Sequence, residues 1–190
     1  MRLKNLLLLS SLLLGTANTF AATLPDFNQY KNVKEKKVQF FTYLKPMAEK
    51  SNQVILRQRE KLLGLQKQKT ISSSDQQWLG KLSKTYNVST HQSSQSQVSE
   101  LIDKVDLIPT SLLLAQAANE SAWGTSRFAK QGNNLFGQWC YTKNCGIVPN
   151  KRGAGMHHEV KKFSSAYESI KAYELNLNSS AHYKNLRLIR

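Results

Sequence analysis

Residues 115–139 read AQAANESAWGTSRFAKQGNNLFGQW, and this stretch decides the fold. It continues an apolar run that begins at Ser111, so Leu112 to Leu114 and Ala115 to Ala118 are expected to be largely buried in one helix, with Glu120 near its end. A carboxyl group in such surroundings loses hydration, which disfavours its charged form. Those are the conditions a general acid needs near neutral pH. Trp123 and Gly124 follow at once, giving an aromatic wall on which a sugar ring could stack and a tight turn that would open the helix end toward a groove. On pattern alone the plainer reading stands beside this one: Glu120 as an ordinary surface residue at a helix terminus, and Trp123 as core.

Working outward, Pro109 suits a first helical turn, Gly124 a helix C-cap, and Thr125 to Gln131 a second helix stopping at Gly132. Leu101, Ile102 and Val105 form a short amphipathic stretch upstream. From Leu135 to Lys162 the chain is rich in Gly, aromatics and Val. Turn signals fall at Lys143-Asn144, Pro149-Asn150 and Gly153 to Gly155, which predicts irregular strands or a small hairpin. There an extended strand through His158-Glu159-Val160 would point Glu159 opposite to Val160, toward solvent or a groove if Val160 packs inward. The plainer alternative is a solvated carboxylate neutralised by Lys161 or Lys162. Ser165 to Glu168 is a capping-box pattern, and Tyr167, Ile170, Tyr173 and Leu177 share one face of the helix it opens.

Further upstream, Lys31 to Leu65 has helical spacing, and Pro46 is expected to kink or divide that helix. A second helix follows Ser74 and places Trp78, Leu82 and Tyr86 on one side. The run NVSTHQSSQSQ, residues 87–97, has almost no apolar residues and reads as a flexible linker, with His91 solvated inside it. The expected organisation is an export signal over 1–21, a helical accessory segment over 22–86, the linker over 87–97 and a catalytic domain over 98–190.

The export signal rests on Arg2 and Lys4, a leucine-rich core and small residues around Ala21, with cleavage after Ala21. Leu6 to Ala17 falls short of the roughly 20 apolar residues a spanning helix needs, so the mature chain is expected to lack a transmembrane segment and to work outside the cytoplasm without ATP. The formal charge is +15, and losing Arg2 and Lys4 with the signal lowers it by two, to +13. Such a chain seeks polyanions. Export argues against nucleic acid and for an anionic cell-envelope surface. In an oxidising compartment Cys140 and Cys145 are read first as a local disulfide; the alternative is a zinc site with His157 and His158.

The 115–139 stretch resembles the glucosaminidase-type peptidoglycan hydrolases of glycoside hydrolase family 73, on Glu120-Ser121, Trp123-Gly124 and Asn134-Leu135-Phe136-Gly137. The likeness extends to the exported Bax-type branch through KEKKVQFFTYLKPMAEKSN, Trp139-Cys140, Cys145-Gly146, His158-Glu159-Val160 and SIKAYELNLN, nearly the whole mature chain. The resemblance implies a mainly α, lysozyme-like fold with a small β hairpin, two lobes around a glycan groove, and peptidoglycan glycan strands as substrate. It implies Glu120 as the catalytic acid and Glu159 as a second carboxylate, with Trp123, Asn134, Phe136 and Trp139 toward the sugar, and no cofactor or metal. Glu120 would protonate the leaving glycosidic oxygen. Glu159 activating water, Glu159 attacking directly, or the substrate's own N-acetyl oxygen attacking would complete the reaction. Relatives continue beyond the point matching Arg190, and several carry a tyrosine where this chain has Phe163. The alternative function is a non-catalytic wall-binding module that keeps the groove.

Overall fold

The computed structural model describes residues 23–189; the stretch read as an export signal lies outside them. Helix α1, Val33–Gln66, begins where Asn32 caps it, its side chain accepting from the backbone N–H groups of Lys34 and Glu35 at 2.8 and 3.1 Å. Pro46 lies inside α1 and does not divide it. An interior proline costs about 3 kcal/mol, but Leu44, Met47 and Ala48 are all buried around it. Burying a Leu or Met side chain is worth about 1.5 to 3 kcal/mol, so tertiary packing carries the helix through.

The first half of α1 joins Phe27 to α4 (Thr110–Glu120) and α6 (Ala166–Ser179) in one core containing Phe40, Leu44, Met47, Ala117, Leu135, Phe136 and Ile170. Its second half packs Ile55, Leu62 and Leu65 against α2 (Ser73–Thr85) and α3 (Ser94–Lys104). Trp78, Leu82 and Tyr86 face that second core, as their spacing predicts. α1 is thus a spine shared by two cores.

The supposed linker is corrected by this packing. Ser93 caps α3, which begins at Ser94. Val88 is buried, and its N–H donates to Ser83 O at 2.8 Å. Gln97, also buried, accepts from the Ser83 hydroxyl at 2.9 Å. A run poor in apolar residues is ordered here because serine chemistry caps a helix and two polar side chains satisfy each other.

After α4 come the short helix α5 (Arg127–Gly132) and three small strands: β1 (Trp139–Cys140), β2 (Gly146–Ile147) and β3 (Glu159–Lys161). They form an antiparallel sheet in the order β1-β3-β2, with Cys140 opposite Glu159 and Gly146 opposite Lys161. Ser165 caps α6, accepting from the Glu168 N–H at 3.3 Å, and α7 (Lys184–Leu188) follows. The fold is mainly α with a small sheet, in keeping with the lysozyme-like class. Among the described residues, no helix is long and apolar enough to cross a membrane.

Candidate active site

Glu120 is the last residue of α4, and its helix is seated by Leu113, Ala117 and Ala118. The side chain itself is exposed, so the burial expected of it is absent in the free protein. What fixes its position is the turn that follows. Ser121 is fully buried; its hydroxyl donates to Ala117 O at 2.5 Å and accepts from the Gly124 N–H at 2.8 Å. Ala122, Trp123 and Gly124 then run left-handed in succession, with φ of 51°, 59° and 75°. Left-handed residues other than glycine cost roughly 1–2 kcal/mol each, and such strain persists where the surroundings enforce it. Here the enforcement is aromatic. The Trp123 ring meets Phe40 and Phe41 edge-on at 5.7 and 5.3 Å between centroids, with Lys37 Nζ 4.8 Å from its own. Gly124 admits no side chain, since a β-carbon there would stand 2.6 Å from Phe27. Trp123 is therefore half-buried and anchored to α1.

The facing segment is Asn134-Leu135-Phe136-Gly137. Asn134, 1% exposed, donates to the carbonyls of Gln138 and Lys161 at 2.8 and 2.9 Å. Its Oδ1 accepts from the N–H groups of Phe136 and Gln138. With all this it shapes the loop and ties it to β3. Phe136 stacks face to face on Tyr173 of α6, centroids 4.1 Å apart. Gly137 is exposed next to Glu120: a β-carbon placed on it would lie 3.8 Å from Glu120 Oε2. The Tyr173 hydroxyl is held above its ordinary pKa by burial first, then by the charges of Tyr183 and Glu120. Glu120, Gly137, Phe136 and Tyr173 thus form one neighbourhood. Tyr173 was legible only as part of the buried face of α6; its nearness to the acid depends on how that helix docks.

On the sheet, Trp139 is 54% exposed and stacks on His158 at 4.3 Å and 15°. Tyr141, Val148 and Met156 are exposed as well. Cys140 and Cys145 form a disulfide. Glu159 departs from both sequence readings. It is 6% exposed, and its two oxygens accept from the backbone N–H groups of Asn144 and Gly146 at 3.1 and 2.7 Å. Glu159 and Val160 are both buried because β3 is the middle strand and the disulfide loop folds over it. Gly146 makes that closure possible, since a β-carbon on it would fall 2.1 Å from Val160 O. The carboxylate and both sulfurs lie within 4.8 Å of one another, and the disulfide takes up both thiols.

A cavity of about 870 Å³ between α3 and the chain's last helices, near Asp103, His182 and Arg187, contains none of these residues. Glu120, Phe136, Gly137 and Tyr173 lie instead where the end of α4, the 134–137 loop and α6 meet.

Against known proteins, the Glucosaminidase family model, described as mannosyl-glycoprotein endo-beta-N-acetylglucosaminidase, matches residues 95–189. The chain is 33% identical over 171 residues to Protein bax of Escherichia coli strain K12. That alignment covers 90% of this chain and 61% of the relative, so the chain spans about three-fifths of its length. No solved structure matches.

Proposed function

The chain belongs to the glucosaminidase family, and from that premise we propose that it hydrolyses the glycan strands of bacterial peptidoglycan outside the cytoplasm, with Glu120 as general acid. The observation that carries this reading is the placement of an exposed carboxyl group at a rigidly held helix end, beside Gly137 and within electrostatic reach of Tyr173. A glycan strand lying there would cover the carboxyl and take its water away, the condition under which it keeps a proton to donate. Glu120 then protonates the leaving glycosidic oxygen as positive charge grows on the adjacent sugar carbon. Phe136 and Tyr173 brace one side of the acid. Trp139, exposed and backed by His158, offers a stacking platform on the sheet.

Glu159 is occupied by two backbone N–H groups, which favours the substrate's own N-acetyl oxygen as the group that attacks the sugar carbon. The bond cut lies on the reducing side of N-acetylglucosamine. Export is supported by the disulfide, which forms in oxidising compartments. The test is clearance of a purified wall suspension by the full chain, followed by reduction and sugar analysis of the digest. New glucosaminitol is expected. New muramitol makes it a muramidase, and wall binding without clearance makes it the non-catalytic module.

A further inference from the structure

One end of the small sheet gathers exposed apolar side chains that the chemistry at Glu120 does not use. Strands β1 and β2 both run antiparallel to β3, so each of them, continued past its last residue, leads toward the end at which β3 begins. Cys140 stands opposite Glu159, which brings Tyr141 off the sheet beside His158. Ile147 stands opposite Val160, which brings Val148 level with Glu159. Met156 arrives at the same end two residues before His158, closing a turn in which its N–H donates to Gly153 O at 3.2 Å. Tyr141, Val148 and Met156 are 75%, 47% and 53% exposed. Single exposed apolar side chains are ordinary, but three large ones brought to one end of a three-stranded sheet mark a contact surface.

The charge around them is of one sign. Between Tyr141 and His158 the sequence holds Lys143, Lys151 and Arg152 and no acidic residue. Lys143 and Lys151 are exposed. Arg152 is tied to this end by Nη1, which donates to His158 O at 3.3 Å, and Arg127 joins from α5 through Nη2, which donates to Val148 O at 2.9 Å. The next acid in sequence, Glu159, is buried and spends both oxygens on backbone N–H groups. Valine and methionine have no group with which to bind a hydrated sugar. The boundary of a bilayer takes up aliphatic side chains, seats a tyrosine with its ring inward and its hydroxyl wet, and attracts cations when its lipids are anionic.

We propose that this end of the sheet docks the protein reversibly on a bilayer containing anionic phospholipid. Tyr141, Val148 and Met156 enter the headgroup boundary, while Lys143, Lys151, Arg152 and Arg127 lie among the lipid phosphates. The argument is charge complementarity joined to apolar exposure. Each cation held near such a surface strengthens binding by about fivefold, and the apolar side chains add a part that salt does not screen.

The experiment uses the chain from residue 22, which holds both cores and lacks the apolar leader. The probes are vesicles of phosphatidylcholine alone and of an equal mixture of phosphatidylcholine and phosphatidylglycerol. Sedimentation gives affinity, and a spin-labelled lipid locates the contact by broadening amide NMR signals. Expected are binding at least about tenfold tighter to the mixed vesicles and broadening concentrated in residues 141–157. Replacing Tyr141, Val148 and Met156 together by serine should weaken that binding at least about tenfold, and so should Lys143→Gln combined with Lys151→Gln. Lys67→Gln combined with Lys69→Gln removes the same charge just past α1, on the side of the second core, and should change it less than about twofold. The proposal is overturned if mixed vesicles bind no better than neutral ones, if the serine variant binds as well as the wild type, if the two lysine pairs weaken binding equally, or if broadening falls outside 141–157. Loss of retention on purified wall in the serine variant, with vesicle binding kept, also overturns it and assigns the face to the glycan. Should a variant lose its fold by circular dichroism, the lipid comparison and the broadening on the unsubstituted chain still decide. No arm measures hydrolysis, so this result and the wall-clearance result stand independently.

Discussion

Glu120 carries the catalytic reading, so Glu120→Gln tests it most directly. The amide conserves shape and cannot donate an acidic proton; clearance of wall suspensions should fall by roughly 10²-fold or more, with circular dichroism and wall binding unchanged. Wild-type clearance would remove Glu120 from the reaction. Glu159→Gln should behave differently, because one carboxylate oxygen becomes an NH₂ facing a backbone N–H of Asn144 or Gly146. Losing a charged acceptor in that place costs about 1.5 to 3 kcal/mol, so the melting temperature should drop and added azide should restore nothing; azide rescue of activity would make Glu159 a catalytic base after all. Glu174 of α6, buried with a hydrogen bond from the Ser51 hydroxyl to Oε2, gives a pH signature. Burial raises its folded carboxyl to about 7 against 4.5 for the ordinary group, so its stabilising contribution is complete below about pH 4.5 and is lost as pH rises through about 7. That interval corresponds to roughly 3 kcal/mol, and Glu174→Gln should flatten the fall by that amount when unfolding free energies are compared between pH 4 and 8. At this scale the sequence is an uneven guide. The position of Glu120 at a helix end could be read from the apolar run before it, but whether its side chain is covered could not. Asn134, Glu159 and Glu174 are buried polar groups whose partners are backbone amides or a distant hydroxyl, and no periodicity displays such partners.

Elements were more legible than residues wherever apolar spacing or capping chemistry spoke. The amphipathic face of α6, its Ser165 cap and the α2 face with Trp78, Leu82 and Tyr86 all follow from the sequence. The continuity of α1 through Pro46 does not, because the local penalty is visible and the burial that outweighs it is not. Helix α3 was half hidden in a serine-rich run because its first turn buries Gln97 in place of an apolar side chain. The disulfide was read correctly as a pairing, and the structure adds its purpose: with Glu159 it closes the loop between β1 and β2 over the middle strand. A bridge across five positions gains at most about 2 kcal/mol from chain entropy. Replacing both cysteines by serine should therefore lower the melting temperature modestly and wall clearance more strongly, because Trp139 adjoins the bridge. A large loss of stability with full activity would reverse that assignment.

For the molecule as a whole, charge and core are distributed unlike the recognisable motif. Residues 22–97 carry +8 and residues 98–190 carry +5, so retention on anionic wall should weaken steeply with salt. Equal retention in low and high salt would contradict this. The core, by contrast, is shared: Phe27, Phe40, Leu44 and Met47 lie against Ala117, Leu135, Phe136 and Ile170. The segment 95–189 by itself should accordingly show no cooperative melting, whereas the full chain melts in one transition. The left-handed turn after Glu120 has a consequence in time. Ala122 and Trp123 adopt an unfavourable backbone conformation that is held by Phe40 and Phe41 of a helix synthesised some eighty residues earlier. The turn therefore closes only once α1 has docked beside the end of α4, so the position of Glu120 depends on a contact between segments some eighty residues apart.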